Sequence, residues 1–479
     1  MTLRTAPDQD IVVVGATGDL AQKKLIPALY NLHTEHLIPN HGNIVGVAPM
    51  DWTREHFIDH ARDSVKQFSR TGINEERFEA FAKHLQFVPL GADSDLKPLH
   101  AALTKQRRLI YLAVPPSAFT PLLEAVRAAD LARGTSIVIE KPFGHDLKSA
   151  RQLNRTLHSV VPEERVYRID HYMGKETVQN LLVFRFGNSL WERVWSRDAI
   201  SRVEITVAED IGVEERGPLY EEIGAIRDIV QNHLFQVLSL VCMEPPVSFD
   251  AEALRNEKVK VLRSLHTVDP HSVVRGQYAA GTVGAEKVRA YRDEPGVSKE
   301  STTETFAAMR LHVESWRWSG VPFLLRTGKR LPVRDTRVVV SFHDAPLHLF
   351  REVGMHAMHS NRLVIRIQPN EGISLRFSAK EPGPDVRVQP VDMDFSYGDS
   401  FKTSPPEAYE RLLHDALGGD HLLFIREDEV EAGWAAISKL LEEPPPICFY
   451  AAGTWGPEEA ARIAAPGRWH DPDDPDADT

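Results

Sequence analysis

The nine residues Arg168-Ile169-Asp170-His171-Tyr172-Met173-Gly174-Lys175-Glu176 combine side chains suited to an anion with one that is not. Residues 165–167 before them read as a short strand and 177–184 after them as a helix. The cluster therefore falls where a strand hands over to a helix, the usual ligand position in open α/β sheets. On a helix His171 and Lys175, four apart, share a face, with Tyr172 beside them. Two potential cations, a phenol and the N–H groups of a helix start suit a phosphate dianion. Gly174 keeps side-chain bulk away from the backbone. Asp170 does not belong against phosphate and needs a different partner. The same residues also fit a capped, solvated helix start.

Three further places could carry chemistry. Residues 11–14 are an unbroken apolar run, the mark of a strand buried on both faces. Gly15-Ala16-Thr17-Gly18-Asp19-Leu20 follow, then an amphipathic helix with Leu25, Leu29 and Leu32 on one stripe. Strand, glycine turn and helix together make a pyrophosphate cradle, although the full G-x-G-x-x-G is not present. Lys141 stands between Glu140 and Pro142 at a second strand end. Lysines there commonly snorkel to solvent, but Pro142 fixes this backbone. His233 lies among Ile226, Ile229, Val230, Leu234 and Val237, with Asp228 and Gln236 as the other polar positions of interest. A histidine in such company is more often a hydrogen-bonded core residue than a catalyst.

Residues 43–48, 109–116 and 136–139 read as further buried strands, the second ending in Pro115-Pro116. Strands alternating with helices predict an α/β Rossmann-type dinucleotide-binding domain with a doubly wound parallel sheet over 1–178. Beyond it the texture changes. Residues 202–207, 305–312, 338–342, 362–367 and 374–377 alternate like half-exposed strands, and 220–241 read as one long helix. These predict an α+β C-terminal domain with a large, mostly antiparallel sheet over 179–470. Residues 471–479, acidic and broken by proline, are expected to be disordered.

With 479 residues, two cores are expected rather than one. A net charge of −12 offers no basic surface for nucleic acid, so positive charge for a phosphorylated ligand must be gathered locally. Cys242 and Cys448 provide neither a disulfide framework nor a metal cluster, as suits a reducing cytoplasm. The N-terminal residues lack a signal peptide's apolar region, and no run approaches membrane-spanning length. A cytoplasmic protein is expected.

Arg168–Glu176 strongly resembles the signature of the glucose-6-phosphate dehydrogenase family. The resemblance extends in order through Gly-Ala-Thr-Gly-Asp-Leu at 15–20, Glu-Lys-Pro-Phe-Gly at 140–144 and Arg-Asp-Ile-Val-Gln-Asn-His at 227–233. It continues with Arg-Thr-Gly-Lys at 326–329, Ile-Gln-Pro-Asn-Glu at 367–371 and Ala-Ala-Gly-Thr-Trp-Gly-Pro at 451–457. The resemblance implies oxidation of glucose 6-phosphate at C1 to 6-phosphoglucono-1,5-lactone with NADP, the first step of the oxidative pentose phosphate pathway. It makes His233 the general base and Asp170 its orienting carboxylate. His171, Tyr172 and Lys175 would hold the phosphate. Lys141, Glu209, Asp228, Lys329, Arg334 and Gln368 match sugar-contacting positions. Gly15, Thr17, Gly18, Asp19, Leu20, Ala113, Pro115 and Lys141 would hold the cofactor. No metal is implied, since hydride removal from an alcohol requires a base and geometry. The resemblance also implies that the C-terminal domain serves substrate binding and dimerisation, and a homodimer or homotetramer is expected.

Two departures stand out. NADP-preferring members typically place an arginine directly after the position of Ala48, where this chain has Pro49, Met50 and Asp51. NAD is therefore the second candidate cofactor, with Thr17 and Arg54 as neighbours able to reach a 2′-phosphate. Asp335 beside Arg334 argues against an additional nucleotide site. Competing readings are a related sugar or cyclitol oxidoreductase with Glu-Lys-Pro and a non-catalytic homologue. The His171/Tyr172/Lys175 triplet speaks against the first, and His233 with Asp170 against the second.

Overall fold

The computed structural model describes residues 5–39, 41–91, 94–347, 360–401 and 407–472. Most of the expected disordered tail, from residue 473 onward, lies outside these. Two compact units divide the chain: Met1–Glu176, Pro246–Asn256 and Pro405–Glu431 in the first, Thr177–Pro245, Glu257–Ser404 and Ala432–Thr479 in the second. Two segments within the range expected for the second domain thus cluster with the first.

In the first unit β1 (Asp10–Val14), β2 (Ile44–Ala48), β3 (Leu85–Pro89), β4 (Arg108–Leu112), β5 (Thr135–Glu140) and β6 (Val166–Ile169) form one sheet. All its pairings are parallel and its order is β3-β2-β1-β4-β5-β6, the Rossmann arrangement. Every residue of β1, β2 and β6 is buried, which is why those runs carry no polar alternation. Strand β4 ends at Leu112 rather than in the proline pair. Pro115 cannot continue a ladder, and a short helical turn at Pro116–Ala118 begins there. The helix Ala408–Gly418 packs on Ile26–Thr34. Buried Glu410 ties it down by accepting from Asn31 Nδ2 (2.8 Å) and Arg70 Nε (2.9 Å).

In the second unit β7 (Ile200–Ala208), β8 (Val273–Ala279), β11 (Phe306–His312), β12 (Pro322–Gly328), β13 (Asp335–Phe342), β14 (Arg362–Gln368), β15 (Gly372–Lys380), β16 (Val388–Ser396) and β17 (Ile447–Ala451) form a nine-stranded sheet. A small hairpin of β9 (Gly281–Val283) and β10 (Glu286–Val288) stands apart from it. The order is β16-β15-β14-β13-β7-β12-β11-β8-β17, antiparallel except at β7–β12 and β8–β17.

The expected single helix over 220–241 is three segments. Gly217–Ala225 is followed by a π-helix, Ile226–Leu234, and then by the α-helix Phe235–Cys242. The break falls at Gly224, whose φ of 68° and ψ of 169° lie outside the range open to other residues. Glu304 caps the restart: its backbone oxygen accepts from Ala225 N–H (2.9 Å) and its Oε1 from Ile226 N–H (3.0 Å). The tail expectation is also corrected at its start. Asp471 pairs with the buried Arg326 guanidinium, which removes the solvation that would favour disorder.

Candidate functional site

The strand order of the first unit reverses between β1 and β4, so their C-terminal ends open the crevice where α/β sheets take ligands. Gly15 leaves β1 with a φ of +89°, and its N–H donates to Val47 O (2.8 Å). A Cβ there would lie 2.2 Å from Ala113 O, so only glycine allows the first turn to press against the end of β4. Gly18 N–H closes the turn on Gly15 O (3.0 Å). Thr17, Asp19 and Leu20 follow at the helix start, with Ala113 and Pro115 beyond β4. The crevice, the glycine turn and the helix N-terminus fit a dinucleotide. The Asp19 carboxylate is turned to solvent and pairs with Lys23 (2.8 Å).

Arg54, a neighbour able to reach a 2′-phosphate, also makes local bonds. Its Nε donates to Leu85 O (2.7 Å) and its Nη2 to Ala82 O (2.9 Å). Two of its nitrogens thus satisfy backbone carbonyls between a helix end and β3.

Glu140 and Ile169 are register partners at the ends of β5 and β6, so Lys141 and Asp170 emerge side by side. The Tyr111 hydroxyl donates to Glu140 Oε1 (2.5 Å), and Tyr409 also donates to this carboxyl. Loss of hydration is the largest influence on Glu140 and outweighs the two phenols and Lys141. Its pKa is pushed up to about 7. Burial, reinforced by Glu140, raises the Tyr409 phenol.

Asp170 is fully buried, and its Oδ1 accepts from Tyr172 N–H (2.9 Å). From there the backbone turns by successive bonds from Met173 N–H to Asp170 O (3.0 Å), Gly174 N–H to His171 O (3.2 Å) and Lys175 N–H to Tyr172 O (3.1 Å). The helix begins only at Glu176, so His171 and Lys175 are not neighbours on a helical face. The turn brings them together by another route. Lys175 Nζ sits 3.9 Å from the centre of the Tyr172 ring, and the His171 and Tyr172 rings lie 5.2 Å apart. Gly174 makes this possible, because a Cβ would meet Ala408 O at 2.8 Å. Arg168 is buried, donating to Glu163 Oε1 (2.7 Å) and Asn154 Oδ1 (2.8 Å), and so acts in the core rather than on an anion.

Register assembles the second unit's candidates. Ala208 of β7 pairs with Gly328 of β12 and with Asp335 of β13, while Thr336 pairs with Gln368 of β14. Glu209, Lys329, Arg334 and Gln368 therefore share one edge of the nine-stranded sheet. Lys329 is buried, and its Nζ donates to Glu209 Oε2 (2.6 Å). Asp335 closes on Arg337 with two bonds (2.5 and 2.8 Å). The π-helix carrying Asp228 and His233 lies against β7 and β12. Its i→i+5 bonding sets residues five apart, as Asp228 and His233 are, one turn above each other. His233 is buried, whereas Asp228 is part-exposed.

Sequence reasoning assigns no role to Tyr111, Glu140, Tyr409 or Tyr220. Glu140 had a local signal, a carboxylate ending an apolar strand. The tyrosines had none, since each sits in an ordinary apolar or amphipathic stretch. Tyr220 carries Lys329 Nζ 5.2 Å from its ring centre and lies in the field of Asp228 and Glu209. Burial first, then those carboxylates, pushes its phenol well above the usual range.

Residues 12–180 match the glucose-6-phosphate dehydrogenase NAD binding domain and 182–470 the C-terminal domain of the same enzymes. The chain belongs to the glucose-6-phosphate dehydrogenase family. It is thus an oxidoreductase. It is 44% identical to glucose-6-phosphate 1-dehydrogenase 2 of Mycobacterium bovis, over 96% of this chain and 93% of the relative. The glucose-6-phosphate 1-dehydrogenase of Rhizobium meliloti is 42% identical, over 96% and 97%. The crystal structure of the Mycobacterium avium glucose-6-phosphate 1-dehydrogenase superposes with a TM-score of 0.86 at 39% identity, covering 98% of this chain and 99% of that one. A family structure in complex with its substrate glucose 6-phosphate reaches 0.88 at 35%, covering 98% and 100%. Among the described residues no helix is long and apolar enough to cross a membrane.

Proposed function

We propose that this chain oxidises glucose 6-phosphate at C1 to 6-phosphoglucono-1,5-lactone, with NADP as first cofactor and NAD as second, opening the oxidative pentose phosphate pathway. The observation that supports the reading is the turn that gathers His171, Tyr172 and Lys175, side chains suited to a phosphate, into one cluster.

The nicotinamide, when bound, accepts the hydride from C1. A ring nitrogen of His233 takes the proton from the C1 hydroxyl, and the electrons of that O–H bond become the new C=O bond. Asp170 supports the imidazolium that results, the role a carboxylate plays beside any histidine base. His171, Tyr172 and Lys175 hold the phosphate dianion, and that remote binding energy helps fix C1 for reaction. Glu209 and Asp228 accept from sugar hydroxyls, while Lys141, Lys329, Arg334 and Gln368 donate to the sugar phosphate. Gly15, Thr17, Gly18, Asp19, Leu20, Ala113 and Pro115 form the dinucleotide crevice, with Lys141 at its rim.

Initial rates with glucose 6-phosphate and glucose, each with NADP and NAD, test the reading. Glucose should be a very poor substrate. Lys175→Ala should raise KM for glucose 6-phosphate strongly and leave cofactor KM nearly untouched. Equal efficiency with unphosphorylated glucose would overturn the phosphate assignment.

A further inference from the structure

Lysine is a flexible residue whose ammonium carries three rotatable donors, so a buried lysine that must aim at a ligand needs more than one support. The backbone of Lys329 is clamped: its N–H donates to Thr305 O (2.9 Å), and its carbonyl accepts from the Tyr450 hydroxyl (2.6 Å). Arg330, directly after it, takes a φ of +53°, a costly conformation for a non-glycine residue. Its guanidinium bonds Glu214 (2.8 Å) and so holds that turn shut. The side chain has two supports of different kinds, Glu209 Oε2 at 2.6 Å and the face of Tyr220 at 5.2 Å. An ammonium within about 6 Å of a ring centre is attracted by the ring's electron-rich face.

Tyr220 is built to stay where it is. It lies on the helix Gly217–Ala225, in an apolar cluster with Ala208, Val213, Leu331 and Tyr450. Its ring meets Tyr291 edge to face at 6.2 Å and 74°. Its hydroxyl oxygen is buried and has no hydrogen-bond partner among the described residues. The attraction of the Lys329 ammonium is to the ring face and does not require the hydroxyl.

We infer that Tyr220 is a positioning residue of the sugar-phosphate site, its aromatic face seating the Lys329 ammonium in the orientation that Glu209 completes. It does not touch the substrate; it acts through Lys329. The inference rests on the proposed role of Lys329.

Three replacements at position 220 and one at 329 test it, each read as separate KM values for glucose 6-phosphate and cofactor together with kcat. Tyr220→Met removes the ring and should raise KM for glucose 6-phosphate about three- to tenfold, while cofactor KM and kcat move much less. Tyr220→Phe should recover most of that loss. A ring-fluorinated phenylalanine keeps the shape of phenylalanine but weakens the face, and should raise KM again. This last pair remains informative even where the methionine variant fails to fold. In a Lys329→Met background the identity of residue 220 should cease to matter. Equal KM for phenylalanine and its fluorinated form, or a phenylalanine variant as impaired as methionine, overturns the inference and leaves the role of Lys329 intact. If Lys329→Met alone leaves KM unchanged, the role of Lys329 falls first and Tyr220 with it.

Discussion

Replacing Glu140 by glutamine should flatten the fall in stability of the protein as pH rises from about 5 to about 8. The carboxyl is held between the Tyr111 and Tyr409 hydroxyls, and burial raises its pKa from 4.5 to about 7. A group with a folded pKa above its unfolded one binds more protons in the folded state between those two values. Its contribution is therefore complete below about 4.5 and is lost as pH rises through about 7. At 1.36 kcal/mol per pKa unit, the shift amounts to about 3 kcal/mol, most of it expressed between about pH 5 and about pH 8. Glutamine cannot ionise, so its stability relative to the parent should climb by roughly 2–3 kcal/mol across that window. A constant offset from altered bonds to the phenols leaves this slope untouched. Denaturant midpoints of both proteins across the window measure it, and isotope-edited infrared spectra read the protonated carboxyl directly. Parallel pH profiles would mean that Glu140 is ionised throughout. The two phenols and Lys141 would then outweigh its desolvation, and the reasoning would fail.

His233→Asn should lower kcat by about 10²–10⁴-fold while KM for glucose 6-phosphate changes little, and a loss under about tenfold would remove His233 as the base. Pro49→Arg should raise the NADP-over-NAD ratio of kcat/KM by at least about tenfold, since charge-assisted bonds to the 2′-phosphate are worth roughly 1.5–3 kcal/mol and Pro49 supplies no donor. Arg54 bonds Leu85 O and Ala82 O, and a parent already thousands-fold selective for NADP would disprove the reading of residue 49. Gly224→Ala should cost about 2–4 kcal/mol in unfolding, because φ is +68° and the new Cβ would lie 2.5 Å from Glu304 Oε1. A variant as stable as the parent would show that the helix break is not imposed there.

What could be read from the chain was whatever local pattern decides. Buried parallel strands announce themselves as apolar runs, and β1, β2 and β5 lie within one residue of where composition puts them. Strand β12 was harder to see, because Pro322 opens it and its polar end Arg-Thr-Gly reads as a motif rather than a strand. Strand β3 is only partly buried and ends in proline. The helix break at Gly224 was invisible for a different reason. Its restart is capped by Glu304, some eighty residues away, and nothing near 224 shows that partner. The His171–Lys175 pairing was expected from helical spacing, yet a turn produces it, because Gly174 must fit against Ala408.

The same distinction separates the two carboxylates nearest the candidate lysines. Val138-Ile139-Glu140 and Val207-Ala208-Glu209 are alike in sequence, each an acidic residue ending a buried strand. Glu209 faces the Lys329 ammonium at 2.6 Å, so it works as one half of an ion pair and sets where that charge lies. Glu140 faces two phenols, which donate hydrogen bonds without supplying charge, and desolvation prevails there. The phenols come from Tyr111 on β4 and Tyr409 on a segment more than two hundred residues further along the chain. Local sequence thus places an acid at each strand end, while residues remote in sequence decide which partners that acid meets. Of the two phenols that oppose that desolvation at Glu140, one comes from Ala408–Gly418, the helix whose Ala408 also confines Gly174. One helix therefore bears on both the protonation of Glu140 and the turn that gathers His171, Tyr172 and Lys175.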